Sequence, residues 1–95
     1  MKVSIIIPVY KGESTIVETL DSLIRQSISF SELMIFNDGS PDNSAVIISE
    51  YLKKKKIRNS KLINHKKPLG LTAAYNEGMK LSKSELVVTM HQDVI

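Results

Sequence analysis

Two carboxylates in this chain stand just after apolar runs, at the points where buried strands should end. Asp38 follows Leu33-Met34-Ile35-Phe36-Asn37 and precedes Gly39, and Asp93 closes the triplet His91-Gln92-Asp93 after Leu86-Val87-Val88. Open α/β sheets bind their ligands in the crevice outside the carboxyl ends of the strands. A carboxylate in the Asp38 turn can accept hydrogen bonds from the N–H of a base or from ribose hydroxyls. It can equally close an Asx-turn or act as a second capping acceptor for the helix that follows. Asp93 offers the oxygen ligand that Mg²⁺ and Mn²⁺ prefer, and Mg²⁺ is commonly held by one or two carboxylates plus phosphate oxygens. His91 lies two residues earlier, so on an extended segment both side chains share a face. It can serve as a nitrogen ligand or donate to a ribose or phosphate; the bland alternative is a pair of exposed polar residues at a strand end. His65 reads as a strand-end surface histidine.

Other chemistries are missing. Gly70, ahead of Leu71 and Thr72, can let the backbone approach a pyrophosphate at a helix N-terminus, or can simply make a turn. Gly39 and Gly70 form neither a Walker loop nor a G-x-G-x-x-G. Ser40 lacks the flanks of a nucleophile elbow. The absence of cysteine excludes disulfides and thiolate metal sites and suits a reducing compartment.

Four short strands and three helices position these residues. Val3 to Val9 is rich in Ile and Val without alternation, the pattern of a central parallel strand covered on both faces. From Glu13 to Gln26, Ile16, Leu20, Leu23 and Ile24 make one stripe of an amphipathic helix, with Thr15 and Glu18 at capping-box spacing. Glu32 to Asn37 is the second strand. Ser40-Pro41-Asp42 then opens a helix, with Ser40 as N-cap, Pro41 at the first position and Asp42 beside the positive dipole end. Its stripe is Val46, Ile47, Tyr51 and Leu52. Ser60 to Asn64 is the third strand, and Leu71 to Ser82 the third helix, with Ala73, Ala74, Met79 and Leu81 inside. Glu85 to Met90 is the fourth strand. This β-α-β-α-β-α-β series with right-handed crossovers predicts a three-layer, doubly wound parallel α/β sheet of order 3-2-1-4. An outermost strand is left with a bare edge, through which two copies could pair.

Composition agrees. Ninety-five residues, 42% hydrophobic and 24% charged, make one ordinary globular domain. The run Ile5-Ile6-Ile7-Pro8-Val9 is too short for a spanning helix or a signal-peptide core. The net charge of +3 gathers in Lys53-Lys54-Lys55-Lys56 with Arg58 and in Lys66-Lys67. That run reads first as a solvated helix end and second as a lipid or nucleic-acid patch. With three Tyr and two Phe, none interleaved with the lysines, a stacking platform for single strands is not expected.

Four segments in order resemble the amino-terminal half of family 2 glycosyltransferases, inverting enzymes with a GT-A fold. They are Val3-Ser4-Ile5-Ile6-Ile7-Pro8-Val9-Tyr10, Asn37-Asp38-Gly39-Ser40-Pro41-Asp42-Asn43-Ser44, Gly70-Leu71-Thr72-Ala73-Ala74-Tyr75-Asn76-Glu77-Gly78, and Glu85 through Asp93. The resemblance covers essentially all of residues 1–95 and implies the nucleotide-diphospho-sugar-binding half of a truncated GT-A, Rossmann-like domain. By it, Pro8, Val9, Tyr10 and Glu13 line the nucleotide pocket, Asp38 contacts the base, typically uracil, and Gly70 sits near the base or diphosphate. Asp93 matches the last acid of the family's D-x-D signature and binds a divalent Mg or Mn ion; His91 takes the first position and faces ribose and metal.

Three positions depart from the family pattern. Asn37 replaces a first aspartate in the base pocket, Tyr75 replaces an arginine near the nucleotide, and His91 replaces an aspartate, in a His-Gln-Asp variant seen in some bacterial members. The resemblance also implies a catalytic base, needed to take the acceptor's proton, beyond Ile95. The 95 residues alone are therefore expected to be inactive, as a truncation or a chain that relies on a partner. The whole would transfer a sugar, from UDP by expectation, with inversion in polysaccharide or glycoconjugate synthesis. It would work in the cytoplasm or at the inner face of the membrane. Competing readings are a non-catalytic nucleotide-binding or interaction module, and a peripheral membrane or nucleic-acid module led by the lysine run.

Overall fold

The computed structural model describes residues 2–25 and 30–90. Its elements follow in the order β1 (Val3–Val9), α1 (Ile16–Arg25), β2 (Glu32–Asp38), α2 (Ser44–Lys54), β3 (Ser60–His65), α3 (Leu71–Leu81) and β4 (Leu86–Thr89). The strands form one parallel sheet of order β3-β2-β1-β4, as the crossover argument requires.

Burial explains the sequence pattern. In β1 every residue from Ser4 to Val9 is buried, and in β2 every residue from Leu33 to Asp38. A strand covered on both faces gains nothing from alternation, so these two read as continuous apolar runs. The edge strands β3 and β4 are only partly covered. On one face, Ile5, Ile7, Val9, Leu33 and Ile35 pack against Ile16, Leu20 and Leu23 of α1 and Ile48 and Tyr51 of α2. On the other, Ile6, Met34 and Phe36 pack against Ala74 of α3. Helix α3 lies close because Gly78 faces β1: a Cβ there would stand 2.5 Å from Ile6 Cδ1.

Side chains tie the layers together. The Tyr51 hydroxyl donates to Asp21 Oδ1 at 2.6 Å, joining α2 to α1, and burial followed by that carboxylate pushes the phenol's pKa up. At the amino end of the sheet the fully buried Ser4 hydroxyl donates to Glu32 and accepts from Ser82 at 2.7 Å. The Lys83 N–H also donates to Glu32, at 3.2 Å. The Ser4 hydroxyl and these further donors hold the Glu32 carboxyl below its usual range against desolvation. The turn between α3 and β4 is thereby pinned to β1 and β2.

Several expectations are corrected. Helix α2 begins at Ser44, with Asn43 at the N-cap position and no side-chain cap bond, so Ser40 and Pro41 precede the helix. Ser40 Oγ instead accepts the Lys11 N–H, from a different loop. Within α2, Ile48 is the buried aliphatic residue and Val46 is 55% exposed, because the helix meets the sheet along Ser44, Ile48 and Tyr51. Ile24 of α1 is exposed, and Thr19 takes its place on the buried face. In α3, Ala74 and Gly78 face the sheet, while Leu71, Met79 and Leu81 are exposed. Strand β2 extends to Asp38 and β3 to His65, one residue beyond the expected ends at Asn37 and Asn64.

Candidate functional site

The carboxyl ends of β1, β2 and β3 form one rim, and the loops that leave them are bound to one another. Ser40 Oγ accepts the Lys11 N–H at 3.1 Å, Ser44 Oγ accepts the Gly12 N–H at 3.0 Å, and Asp42 Oδ2 accepts the Glu13 N–H at 3.4 Å. Asp42 Oδ1 in turn accepts the Ser44 N–H and hydroxyl at 3.0 and 2.6 Å. Burial works to raise the Asp42 carboxyl, but these donors prevail and hold it low. The segment Ser40-Pro41-Asp42-Asn43-Ser44 thus holds the loop after β1, including Lys11 at φ 53.

Asp38 holds the other side of the rim. Its Oδ1 accepts the Leu69 N–H at 2.8 Å and meets His65 Nδ1 at 2.9 Å, while Oδ2 accepts the Gly70 N–H at 2.9 Å. The Asx-turn and capping alternatives give way to a longer-range role: the carboxylate clamps the loop that enters α3. Desolvation opposes its charge, yet the Leu69, His65 and Gly70 donors outweigh it and lower the pKa. Oδ2 has a second lone pair and so room for one further hydrogen bond.

His65 is not a free surface histidine. Its side chain is 9% exposed, and Nε2 lies 2.9 Å from Oε1 of Glu77 on α3. The Asp38 contact, followed by Glu77, raises the His65 pKa against the opposing effect of burial. Neither residue stood out in the sequence, although two signals were there. Asp38 and His65 each follow an asparagine at the end of an apolar run, Phe36-Asn37-Asp38 and Ile63-Asn64-His65, and are register partners. Glu77 adjoins Gly78, which faces the sheet.

The remaining expected residues are placed as follows. Pro8 and Val9 are buried at the end of β1; the Val9 side chain lies in the core, and its carbonyl faces the Ser40 hydroxyl at 3.5 Å. Tyr10 is 42% exposed, with Lys11 Nζ 5.4 Å from its ring centroid, and Glu13 is exposed. Asn37 Nδ2 donates to Asn64 Oδ1 at 3.0 Å, and Asn37 Oδ1 is buried without a partner among the described residues. Gly70 occupies the N-cap position of α3 at φ 97, with open space where a Cβ would project. The first-turn N–H groups of a helix have no intrahelical acceptor, so this end suits an anion. His91 and Asp93 lie outside the described residues. Strand β4 delivers the chain to the same rim: the Met90 N–H donates to Ile6 O at 2.9 Å. Among the described residues no group of three or more His, Asp or Glu could hold a metal ion.

Comparison with known proteins bears on the family and the fold. The model of Glycosyl transferase family 2 matches residues 4–95. A relative, the uncharacterized glycosyltransferase EpsJ of Bacillus subtilis (strain 168), is 40% identical over 86 residues, covering 90% of this chain and 24% of that protein. The structure of S. aureus TarS 1-349 in complex with UDP-GlcNAc superposes with a TM-score of 0.84 at 29% identity, over 98% of this chain and 27% of that one. The mannosyltransferase PcManGT from Pyrobaculum calidifontis, in complex with GDP-Man and Mn²⁺, reaches 0.89 at 21% identity, over 97% of this chain and 27% of that one, and speaks for the fold alone. The chain spans about a quarter of the length of such proteins. With its sheet order, its rim of interlocked loops and the family match, the chain belongs to glycosyl transferase family 2 and has the GT-A fold.

Proposed function

We propose that these residues bind the nucleotide diphosphate of a sugar donor, UDP-linked by the likeness to TarS, and that the complete protein transfers the sugar to an acceptor hydroxyl in polysaccharide or glycoconjugate synthesis. The observation that carries this is the clamp at Asp38, which holds Leu69, Gly70 and the amino end of α3 at the rim where the loop after β1 also ends. In this reading Pro8, Val9, Tyr10 and Glu13, at and after the end of β1, would face the nucleotide from one side and Gly70 from the other. Asp93 would supply the carboxylate oxygen that both Mg and Mn ions prefer, and His91 a nitrogen ligand beside it that Mg accepts less readily. Such an ion neutralises charge developing on the departing diphosphate. Transfer would be a single inverting displacement, in which a base outside the described residues takes the acceptor's proton.

We propose, on the exposed cations, that the protein works at the inner face of the membrane. Between Tyr51 and Asn76 there is no Asp or Glu, and Lys53, Lys54, Lys55, Lys56, Arg58, Lys61, Lys66 and Lys67 are all exposed. This band along the β3 edge would favour the anionic inner face of the cytoplasmic membrane. No helix among the described residues is long and apolar enough to cross a membrane.

Calorimetry with UDP and Mn²⁺ tests the reading. Measurable binding that Asp38→Ala and Asp93→Ala each weaken supports it. Affinity untouched by both substitutions, or no binding at all, rejects it.

A further inference from the structure

The ring of His65 lies between two carboxylates, Asp38 Oδ1 at Nδ1 and Glu77 Oε1 at Nε2, each at 2.9 Å. An ionised carboxylate only accepts hydrogen bonds, so both contacts are bonds only when both ring nitrogens carry protons. The arrangement is that of an imidazolium joining β2 to α3 through β3. Few other groups face the ring. From β2 comes the uncharged Phe36 ring, centroids 5.9 Å apart, and Lys66 and Lys67, next along the chain, are exposed. The Leu69 N–H shares Oδ1 of Asp38 with the histidine.

We propose that His65 is a positioning residue for the donor nucleotide: its imidazolium form fixes Asp38, the Leu69–Gly70 turn and the first turn of α3 in the geometry that receives the diphosphate. Loss of the Nε2 proton to solvent frees Glu77, the seventh residue of α3, and so weakens the hold of the sheet on that helix. The proposal rests on the donor-binding reading and adds a residue that touches Asp38 rather than the nucleotide. When the Nε2 proton leaves, a lone pair faces Glu77 Oε1 and the link from β3 to α3 is lost. The Nδ1 proton stays, and with it the bond to Asp38. The two carboxylates raise the His65 pKa above its ordinary 6.5, Asp38 most strongly, so the change falls on the alkaline side of that value. Nucleotide binding is therefore tighter below the transition and weaker above it.

Glu77→Gln separates positioning from mere support. A glutamine amide accepts from the imidazolium through its oxygen and donates to the neutral ring through its nitrogen. The link then survives in both protonation states, and at a site 41% exposed the substitution leaves the fold intact. The experiment is calorimetric titration of the full chain with UDP and Mg²⁺ from pH 7 to 9, above the second ionisation of a terminal phosphate near ~6. The dissociation constant of the unmodified protein should rise roughly two- to tenfold across this range, the size of one hydrogen bond's effect. In Glu77→Gln that rise should disappear. His65→Gln should bind more weakly than the unmodified protein at pH 7, with a flat profile. A flat profile in the unmodified protein, or parallel rises in it and in Glu77→Gln, overturns this proposal alone. Absence of UDP binding at every pH overturns the donor-binding reading and this proposal with it.

Discussion

Asp38 and His65 are register partners on adjacent parallel strands, and the histidine's Nδ1 stands 2.9 Å from the aspartate's Oδ1. This pair joins the sheet to the loop before α3, because the same carboxylate also accepts the Leu69 and Gly70 N–H groups. Hydrogen bonds to charged groups carry about 1.5–3 kcal/mol each and are not additive. Asp38→Ala should therefore cost about 2–4 kcal/mol of stability, and Asp38→Asn, which keeps one carbonyl acceptor, about half as much. Thermal unfolding should register about 4–8 °C for each kcal/mol in a domain of this size. Equal midpoints for Asp38→Ala and the parent would refute the clamp.

Stability should be bounded by pH on both sides. Desolvation raises the Asp38 carboxyl, but Leu69, His65 and Gly70 together bring it below its ordinary 3.8. Its contribution is present above that value and is lost as pH falls through the lower folded value. The His65 pKa is raised above 6.5 by Asp38 and Glu77, so its contribution is complete below 6.5 and is lost as pH rises through the folded value. Urea midpoints should be highest between about 4 and 6.5 and decline on either side. His65→Gln should remove the alkaline decline and leave the acid one.

Gly78→Ala should destabilise although alanine is the better helix former. The new Cβ would stand 2.5 Å from Ile6 Cδ1 and 2.9 Å from Cγ1. Overpacking costs about 1–3 kcal/mol, against a propensity gain of about 1 kcal/mol. Ile6→Val removes the nearest atom, so the double variant should lose less than the sum of the singles, by at least about 0.5 kcal/mol. Strict additivity in urea melts would mean that α3 does not rest on β1 as described.

Gly39 and Gly70 both have positive φ, at 69° and 97°, but their surroundings differ. A Cβ on Gly39 would meet the Lys67–Pro68 backbone at 2.5–2.6 Å, which cannot give way, whereas Gly70 faces open space. Gly39→Ala should cost more than about 3 kcal/mol, and Gly70→Ala only the strain of its conformation, about 1–3 kcal/mol. Gly70→Ala should nevertheless weaken UDP binding, since its methyl group projects where the diphosphate is proposed to lie. The reverse ranking in denaturant melts would contradict the loop geometry.

What the sequence disclosed depended on how local each cause was. The unbroken apolar runs of β1 and β2 and the chirality of crossovers sufficed for the sheet order. Capping rules pointed to Ser40, but its hydroxyl serves Lys11 of another loop, so a tertiary bond overrode the local one. Periodicity marked Val46, Met79 and Leu81 as apolar without saying what would cover them, and all three are exposed. Of the candidate site, Asp38 and Gly70 were legible as strand-end and helix-start residues. His65 and Glu77 were not, since their significance comes from register across strands and from where α3 crosses the sheet. His91 and Asp93 lie outside the described residues.

The sheet order also sets a timetable for the nascent chain. Strand β1 sits at the centre, yet β2 emerges soon after it while its other neighbour, β4, is translated only after β3 and α3. At about 5–20 residues per second, one flank of an isoleucine-rich strand waits several seconds for its mate. Unpaired hydrophobic strand edges recruit foreign strands. The ribosome-bound intermediate, rather than the finished molecule, is therefore where holdase chaperones have most to protect.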